Sequence, residues 1–491
     1  MTAGFDNDKY LKIQSERIKE RIGHSAGKLY LEFGGKLFDD FHASRVLPGF
    51  QPDSKLRMLL QLKDEAEVLM VISAADIERN KKRGDLEIGY DEDVIRLIKN
   101  YRSKGLEVNS VVITRFTPSP AVENFMKRLA RHKVKAYRHY TIEGYPNAVS
   151  FITSEQGFGK NEFVETDKPL VIVTAPGPGS GKMATCLSQL WHENKHGVKA
   201  GYAKFETFPV WNLPLKHPVN LAYEAATADL DDVNMIDPFH LAAYNQTTVN
   251  YNRDVEIFPV LNATFESIYG ESPYKSPTDM GVNMVGFCIT DDEACQEASK
   301  QEIVRRYFKA CESVFRETGS EKEIYKIELL MKQAGITPEY RAVVPACRER
   351  AKKSNAPAAA IELADGRLIT GGATKLFGAL SAALLNSLKE LAGIPHDVKV
   401  ISPDAIGPIQ KLKIEYLGSK NPALHTDETL IALSMSAATN ENAKLAMEQL
   451  PKLRGCQAHT SEILAHVDVK EAGKLGIGLT SEPVAEKRPL K

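Results

Sequence analysis

Two periods of apolar residues alternate along the N-terminal part of the chain. Short runs rich in β-branched residues predict strands over 28–33, 67–72, 108–114, 134–137, 170–174 and 198–205. Between them, 91–102 and 120–131 place apolar residues at helical spacing, and 186–191 is helix-like. Strands separated by helices of this length predict a parallel sheet covered on both faces, a three-layer arrangement. Ligands of such sheets sit at the carboxyl ends of the strands.

Beyond Phe208 the pattern changes. Pro209, Pro214 and Pro218 punctuate a loop, and 218–230 and 255–269 read as helices. A long helix is predicted from Thr290, with Glu293 completing a capping box and Ile303, Val304, Tyr307, Phe308, Cys311, Val314 and Phe315 forming its apolar stripe. A second helix spans 321–334 and ends at Gly335. Past Pro357, 358–363 and 367–370 read as a hairpin about Asp365-Gly366. A small-residue helix follows over 373–392, then a strand over 398–402 and helices over 406–417 and 427–449. The expected fold class is α/β. A parallel three-layer α/β domain spans 1–230, a mostly helical middle region 231–350, and a smaller C-terminal α/β domain 351–491.

The predicted strand 170–174 runs directly into Ala175-Pro176-Gly177-Pro178-Gly179-Ser180-Gly181-Lys182-Met183. Strand, glycine loop and helix start are the grammar of a phosphate-binding loop. Its amides converge on an anion, and the helix N-terminus and a lysine add positive charge. Gly177, Gly179, Ser180, Gly181 and Lys182 are the candidate phosphate cradle. The P-loop pattern asks for Gly at Pro176 and Ser or Thr at Met183, so this segment, 175–185, is a degenerate version without the magnesium-binding hydroxyl. A plain strand-to-helix turn is the alternative.

The loop after 198–205 supplies Trp211 to stack on a base and Lys216 and His217 to face a phosphate, provided the two strands share an edge. Core packing of Trp211 and solvation of the cations is the alternative. Asp231, Asp232 and Asp237, with His240, are the pool for magnesium, against a solvated acidic run. Asp76 is a rival acid at the end of an apolar stretch. Thr374 and Lys375 follow Gly371-Gly372 at a third strand–turn–helix junction, which tight packing alone also explains. Glu32 and Lys36, with Asp40 and Arg45 around Gly34-Gly35, are candidates to reach a ligand from the end of the first strand, against a plain turn into helix. Cys186 has either a thiol activated by the loop helix or a buried one.

Composition narrows the partners. A formal net charge of −1 over 491 residues gives no pull toward nucleic acid, and no apolar run reaches bilayer-spanning length. The first 21 residues are polar and charged rather than signal-like. Six scattered cysteines without a CxxC pair fit free thiols in the cytoplasm and offer no zinc site. No haem motif is present.

The stretch Leu31-Glu32-Phe33-Gly34-Gly35-Lys36, together with 174–182, 213–232 and 401–427, resembles a bacterial family of hypothetical proteins classed only as domain of unknown function 1846. The resemblance covers essentially the whole chain. It implies a cytoplasmic bacterial protein with an N-terminal α/β part and a separate C-terminal part, and it carries no activity or catalytic residues. The expected function is therefore read from the residues: a cytoplasmic enzyme binding ATP or another phosphorylated small molecule, with magnesium if a metal is used. Lys182, Lys216 and His217 are its candidate catalytic groups. One alternative is an enzyme on a small metabolite without nucleotide, its site in a cleft between the N- and C-terminal α/β parts and using Glu32, Lys36, Thr374 and Lys375. The other is a non-catalytic homo-oligomer built on the two long helices.

Overall fold

The computed structural model describes residues 3–25, 27–34, 37–38, 40–82 and 88–485. The chain forms two compact units. One holds the residues up to Glu224 together with Asp231–Ala298; the other holds Ala225–Leu230 and the chain from Ser299 onward.

In the first unit the strands are β1 (Leu29–Phe33), β2 (Ala66–Ser73), β3 (Glu107–Thr114), β4 (Lys135–Arg138), β5 (Leu170–Thr174) and β6 (Gly201–Phe205). A short antiparallel hairpin, β7 (Asn234–Ile236) and β8 (Val249–Tyr251), and a last strand, β9 (Gly281–Val282), complete them. Seven pair in the order β4-β3-β2-β5-β1-β6-β9, parallel throughout. This is the three-layer parallel sheet that the alternation predicts. Every residue of β1, β2 and β5 is buried, which requires cover on both faces. On one face Tyr30, Val71, Val173 and Tyr202 pack with Cys186, Leu187 and Leu190 of helix Lys182–Lys195 and with Phe258, Leu261 and Phe265 of helix Asn252–Tyr269. The intervening positions Leu31, Met70, Ile72 and Ile172 are equally inaccessible.

Strand order decides where a ligand fits. The chain leaves β1 across β5 to reach β2, and leaves β5 across β1 to reach β6. With right-handed crossovers, these connections rise on opposite faces and open a crevice between the ends of β1 and β5.

The second unit is a mixed sheet of order β11-β10-β12-β13, made of β10 (Ala358–Glu362), β11 (Leu368–Gly372), β12 (Gln457–Thr460) and β13 (Gly478–Ser481). The hairpin about Asp365-Gly366 is present, and helix Ala379–Leu391 packs on β10 and β11. Several expected elements differ. Residues 398–402 are not a strand: Val400 and Ile401 reach the core from irregular chain, and Ser402 caps helix Pro403–Lys411 through the Ala405 amide. The sheet positions go instead to β12 and β13, whose short, small and polar sequences hide the strand period. The helix expected from Ala373 starts at Ala379, because the Thr374 hydroxyl accepts the amides of Leu376 and Phe377 and holds a turn. Asn440 divides the expected 427–449 helix by capping Glu441–Met447. Helix Asn7–His24, capped by Asp6, was not expected from the sequence pattern. Among the described residues no helix is long and apolar enough to cross a membrane.

Gly371 tests this packing. A Cβ there would lie 2.1 Å from the Ala383 amide nitrogen. Gly371→Ala is expected to lower unfolding free energy by about 1–3 kcal/mol in urea denaturation, as overpacking does; a variant as stable as wild type would contradict the contact.

Candidate functional site

The loop that leaves β5 is shaped by two left-handed glycines, Gly179 at φ +73° and Gly181 at φ +93°. The second is the N-cap of helix Lys182–Lys195, and it supplies no side-chain cap. Neighbouring residues hold the loop's carbonyls. The Thr114 hydroxyl donates to the Ser180 carbonyl at 2.6 Å, the Arg115 guanidinium to the Gly179 carbonyl at 2.7 Å, and the Ser180 hydroxyl to the Gly177 carbonyl at 2.8 Å. The amides are left over: among the described residues those of Gly177, Gly179, Ser180, Gly181 and Lys182 find no protein acceptor. Unpaired amides, left-handed glycines and an uncapped helix start are the features from which anion-binding loops are built. Tyr90 lies against the loop, since a Cβ on Gly177 would stand 2.2 Å from its hydroxyl oxygen.

Two cations border this loop. Lys182 is half-buried at the helix start, and Arg115 is exposed. Arg115 was missed in sequence because its position depends on β3 ending two strands away from β5. It adopts φ +48°, a left-handed conformation rare outside glycine, which brings its guanidinium to the loop. Asp76 also reaches this side, because β2 pairs with β5 whatever their distance in sequence. Its carboxylate is 3.6 Å from the Lys81 ammonium, which lies 5.0 Å from the Tyr90 ring centre.

A second polar group lies at the same edge, on the face covered by helices Lys182–Lys195 and Asn252–Tyr269. Lys204 and Glu206, two residues apart at the end of β6, share a face with Glu32 on β1. The Lys204 ammonium is 2.6 Å from Glu206 and 2.5 Å from Asp254. Tyr202 donates to Glu32 at 2.8 Å. These side chains are only 13–15% exposed at Lys204, Glu206 and Asp254, so the cluster is recessed yet touched by solvent. Burial pushes Glu206 up to about 7; Asp254 adds to the rise and Lys204 opposes it. Burial would depress Lys204, but Asp254, Glu206 and Glu32 together hold it well above its ordinary value. Glu32 also helps burial raise Tyr145 to about 12. A lysine and a glutamate at i and i+2 on a strand end were the available sequence signal.

The remaining candidates are placed differently. The loop after β6 does open on the β5 edge, although β1 lies between the two strands. Lys216 there is exposed. Trp211 donates its indole N–H to the Asn283 carbonyl at 2.7 Å and packs on Phe287. His217 is buried between Asp292, at 3.0 Å, and the Val219 amide; burial lowers its pKa while Asp292 opposes. Asp237 spends one oxygen capping Phe239 and His240 and the other on Thr278. Asp232 pairs with Arg253 at 2.5 Å, Asp231 is exposed, and His240 bonds Ser276. Among the described residues no three His, Cys, Asp or Glu side chains converge as a metal site. Cys186 is buried, and burial, with Glu32 adding, raises its thiol pKa. Thr374 and the exposed Lys375 belong to the second unit, where the Thr374 hydroxyl is already engaged. Lys36 lies outside the described residues.

Comparison with known proteins bears on the chain as a whole. The family described as "Domain of unknown function DUF1846, N-terminal" matches residues 3–335, and "Domain of unknown function DUF1846, C-terminal" matches 339–490. A UPF0371 protein of Streptococcus thermophilus is 55% identical over 479 residues, spanning 98% of this chain and 97% of the relative. A UPF0371 protein of Corynebacterium urealyticum is 55% identical over 481 residues with the same coverage, and one of Streptococcus pneumoniae is 54% identical over 479.

The Glu206 environment predicts a stability signature. Its folded pKa lies above the ordinary 4.5, so the folded state binds the proton more tightly. The resulting stabilisation is full below pH ~4.5 and is lost as pH rises through about 7, up to ~3 kcal/mol. Glu206→Gln, which mimics the protonated form, is expected to match wild type near pH 4.5 and exceed it at pH 8. Urea denaturation across that range measures the difference, and parallel pH profiles would refute it.

Proposed function

The chain belongs to the family described as domain of unknown function DUF1846, and from that premise, with no activity attached to the description, we propose that it is an enzyme binding a phosphorylated small molecule at the loop after β5. The observation that carries this reading is the set of five amides without a protein acceptor, at Gly177, Gly179, Ser180, Gly181 and Lys182, in one loop at a sheet's carboxyl edge. Arg115 and Lys182 add the charge that balances a phosphate dianion. The absence of a hydroxyl at Met183 favours a phosphate-bearing metabolite over ordinary ATP hydrolysis. Free, buried cysteines support a cytoplasmic setting. Exposed Tyr325 and Leu329, one turn apart on helix Glu321–Ala334, support association with a second copy of the chain.

Calorimetric titration with inorganic phosphate, ATP and GTP, with and without magnesium, tests the proposal. Binding is expected to weaken at least ~10-fold in Lys182→Ala and in Arg115→Ala, the loss typical of one charge-assisted hydrogen bond. Wild-type protein that binds none of the three, or variants that bind as tightly, would reduce the loop to a structural turn.

A further inference from the structure

Phosphate binding leaves the cluster at the ends of β1 and β6 unused. We infer that Glu206 is the proton-transfer group of this site, and that its substrate is a phosphorylated carbon acid: a small oxo-compound with its phosphate on the amides after β5. The inference rests on the phosphate reading above.

The spacing fits one ligand. β5 and β6 end on the same edge with β1 between them. Two strand spacings separate the ends of β5 and β6 by about 10 Å, the scale of a short phosphorylated carbon chain. Gly34, at the end of β1, lies beside Glu206: a Cβ there would stand 3.6 Å from the Glu206 Cγ and 3.8 Å from its carboxyl oxygen, with the Phe205 carbonyl nearest at 3.2 Å. The groups facing Glu206 are Lys204 and Glu32 from the strands, Asp254 from helix Asn252–Tyr269, Tyr251 from β8, and Tyr223 from helix Pro218–Ala226. Burial and Asp254 favour protonated Glu206 while Lys204 favours the ionised form, and a value of about 7 populates both at neutral pH.

The chemistry balances without a further reactant. Ionised Glu206 takes a proton from the carbon beside the carbonyl: the C–H bond breaks, an O–H bond forms on the carboxylate, and the electron pair moves to the carbonyl oxygen. The Lys204 ammonium, 2.6 Å from Glu206, is the fixed cation that stabilises this oxyanion. Glu206 then returns the proton to the same carbon, the electron pair moves back from the oxygen, and the carbonyl is restored. Asp254 is a positioning residue that holds Lys204 charged and in place.

Deuterium exchange tests this without knowledge of the product. Full-length protein is incubated in D2O with a panel of phosphorylated oxo-sugars and oxo-acids and their unphosphorylated counterparts, and loss of the C–H signal is followed by proton NMR. Wild type is expected to exchange a phosphorylated member, with inhibition by inorganic phosphate. Glu206→Gln is expected to slow exchange ~100-fold or more, and Glu206→Asp to retain part of it. Circular dichroism confirms that each variant is folded. No exchange with any member of the panel, or exchange unchanged in folded Glu206→Gln, overturns the proposal. Exchange that is equally fast without the phosphate group and insensitive to added phosphate overturns the ligand class, a failure of the phosphate cradle and not of Glu206.

Discussion

The complete burial of three adjacent parallel strands constrains everything else in the first unit. β1, β2 and β5 expose no residue on either face, so their middles hold apolar side chains, and the few polar ones, Glu32, Glu67, Ser73 and Thr174, sit at or next to strand ends. Polar chemistry is displaced to the strand ends. At the carboxyl edge the chain must turn from extended to helical conformation within a few residues, and amides that have lost a ladder partner and not yet gained a helical one accumulate there. The loop after β5 is the extreme case, because its carbonyls are held by Thr114, Arg115 and Ser180 while its amides are not.

The Lys204 cluster carries a second constraint, electrostatic in origin. Each ion removed from water costs several kcal/mol, and one ammonium cannot fully compensate two carboxylates beside it with Glu32 nearby. A group with this balance contributes little net stability, and the least expensive way to relieve it is to leave Glu206 protonated. The same arrangement therefore makes a mediocre structural element and a good proton reservoir. Its slight exposure separates it from buried pairs such as Arg305 and Glu302, where the carboxylate is 1% exposed.

Much of the fold was legible in the sequence because the signals were local. The β-branched run 170–174 and the helix 120–131, with Ser119 capping and Pro120 at its start, match the structure residue for residue. The second unit was harder. β12 and β13 read Gln457-Ala458-His459-Thr460 and Gly478-Leu479-Thr480-Ser481, and only pairing with β10 and with each other makes such segments strands. The site followed the same division. The glycine loop was visible because its conformation is written in its own residues. Arg115, Glu206 and Asp254 were not, since their roles come from strand order and from a helix far along the chain. Asp237 and His217 looked chemical from composition alone, but their polar atoms are occupied in capping and pairing.

The contact between Tyr90 and Gly177 has a consequence for how this loop can vary. The ring occupies the space a side chain at 177 would need, so the two positions form one unit of shape divided between distant parts of the sequence. The dependence runs one way: a larger residue at 177 requires the Tyr90 ring to move or to shrink, whereas position 90 can shrink with Gly177 unchanged.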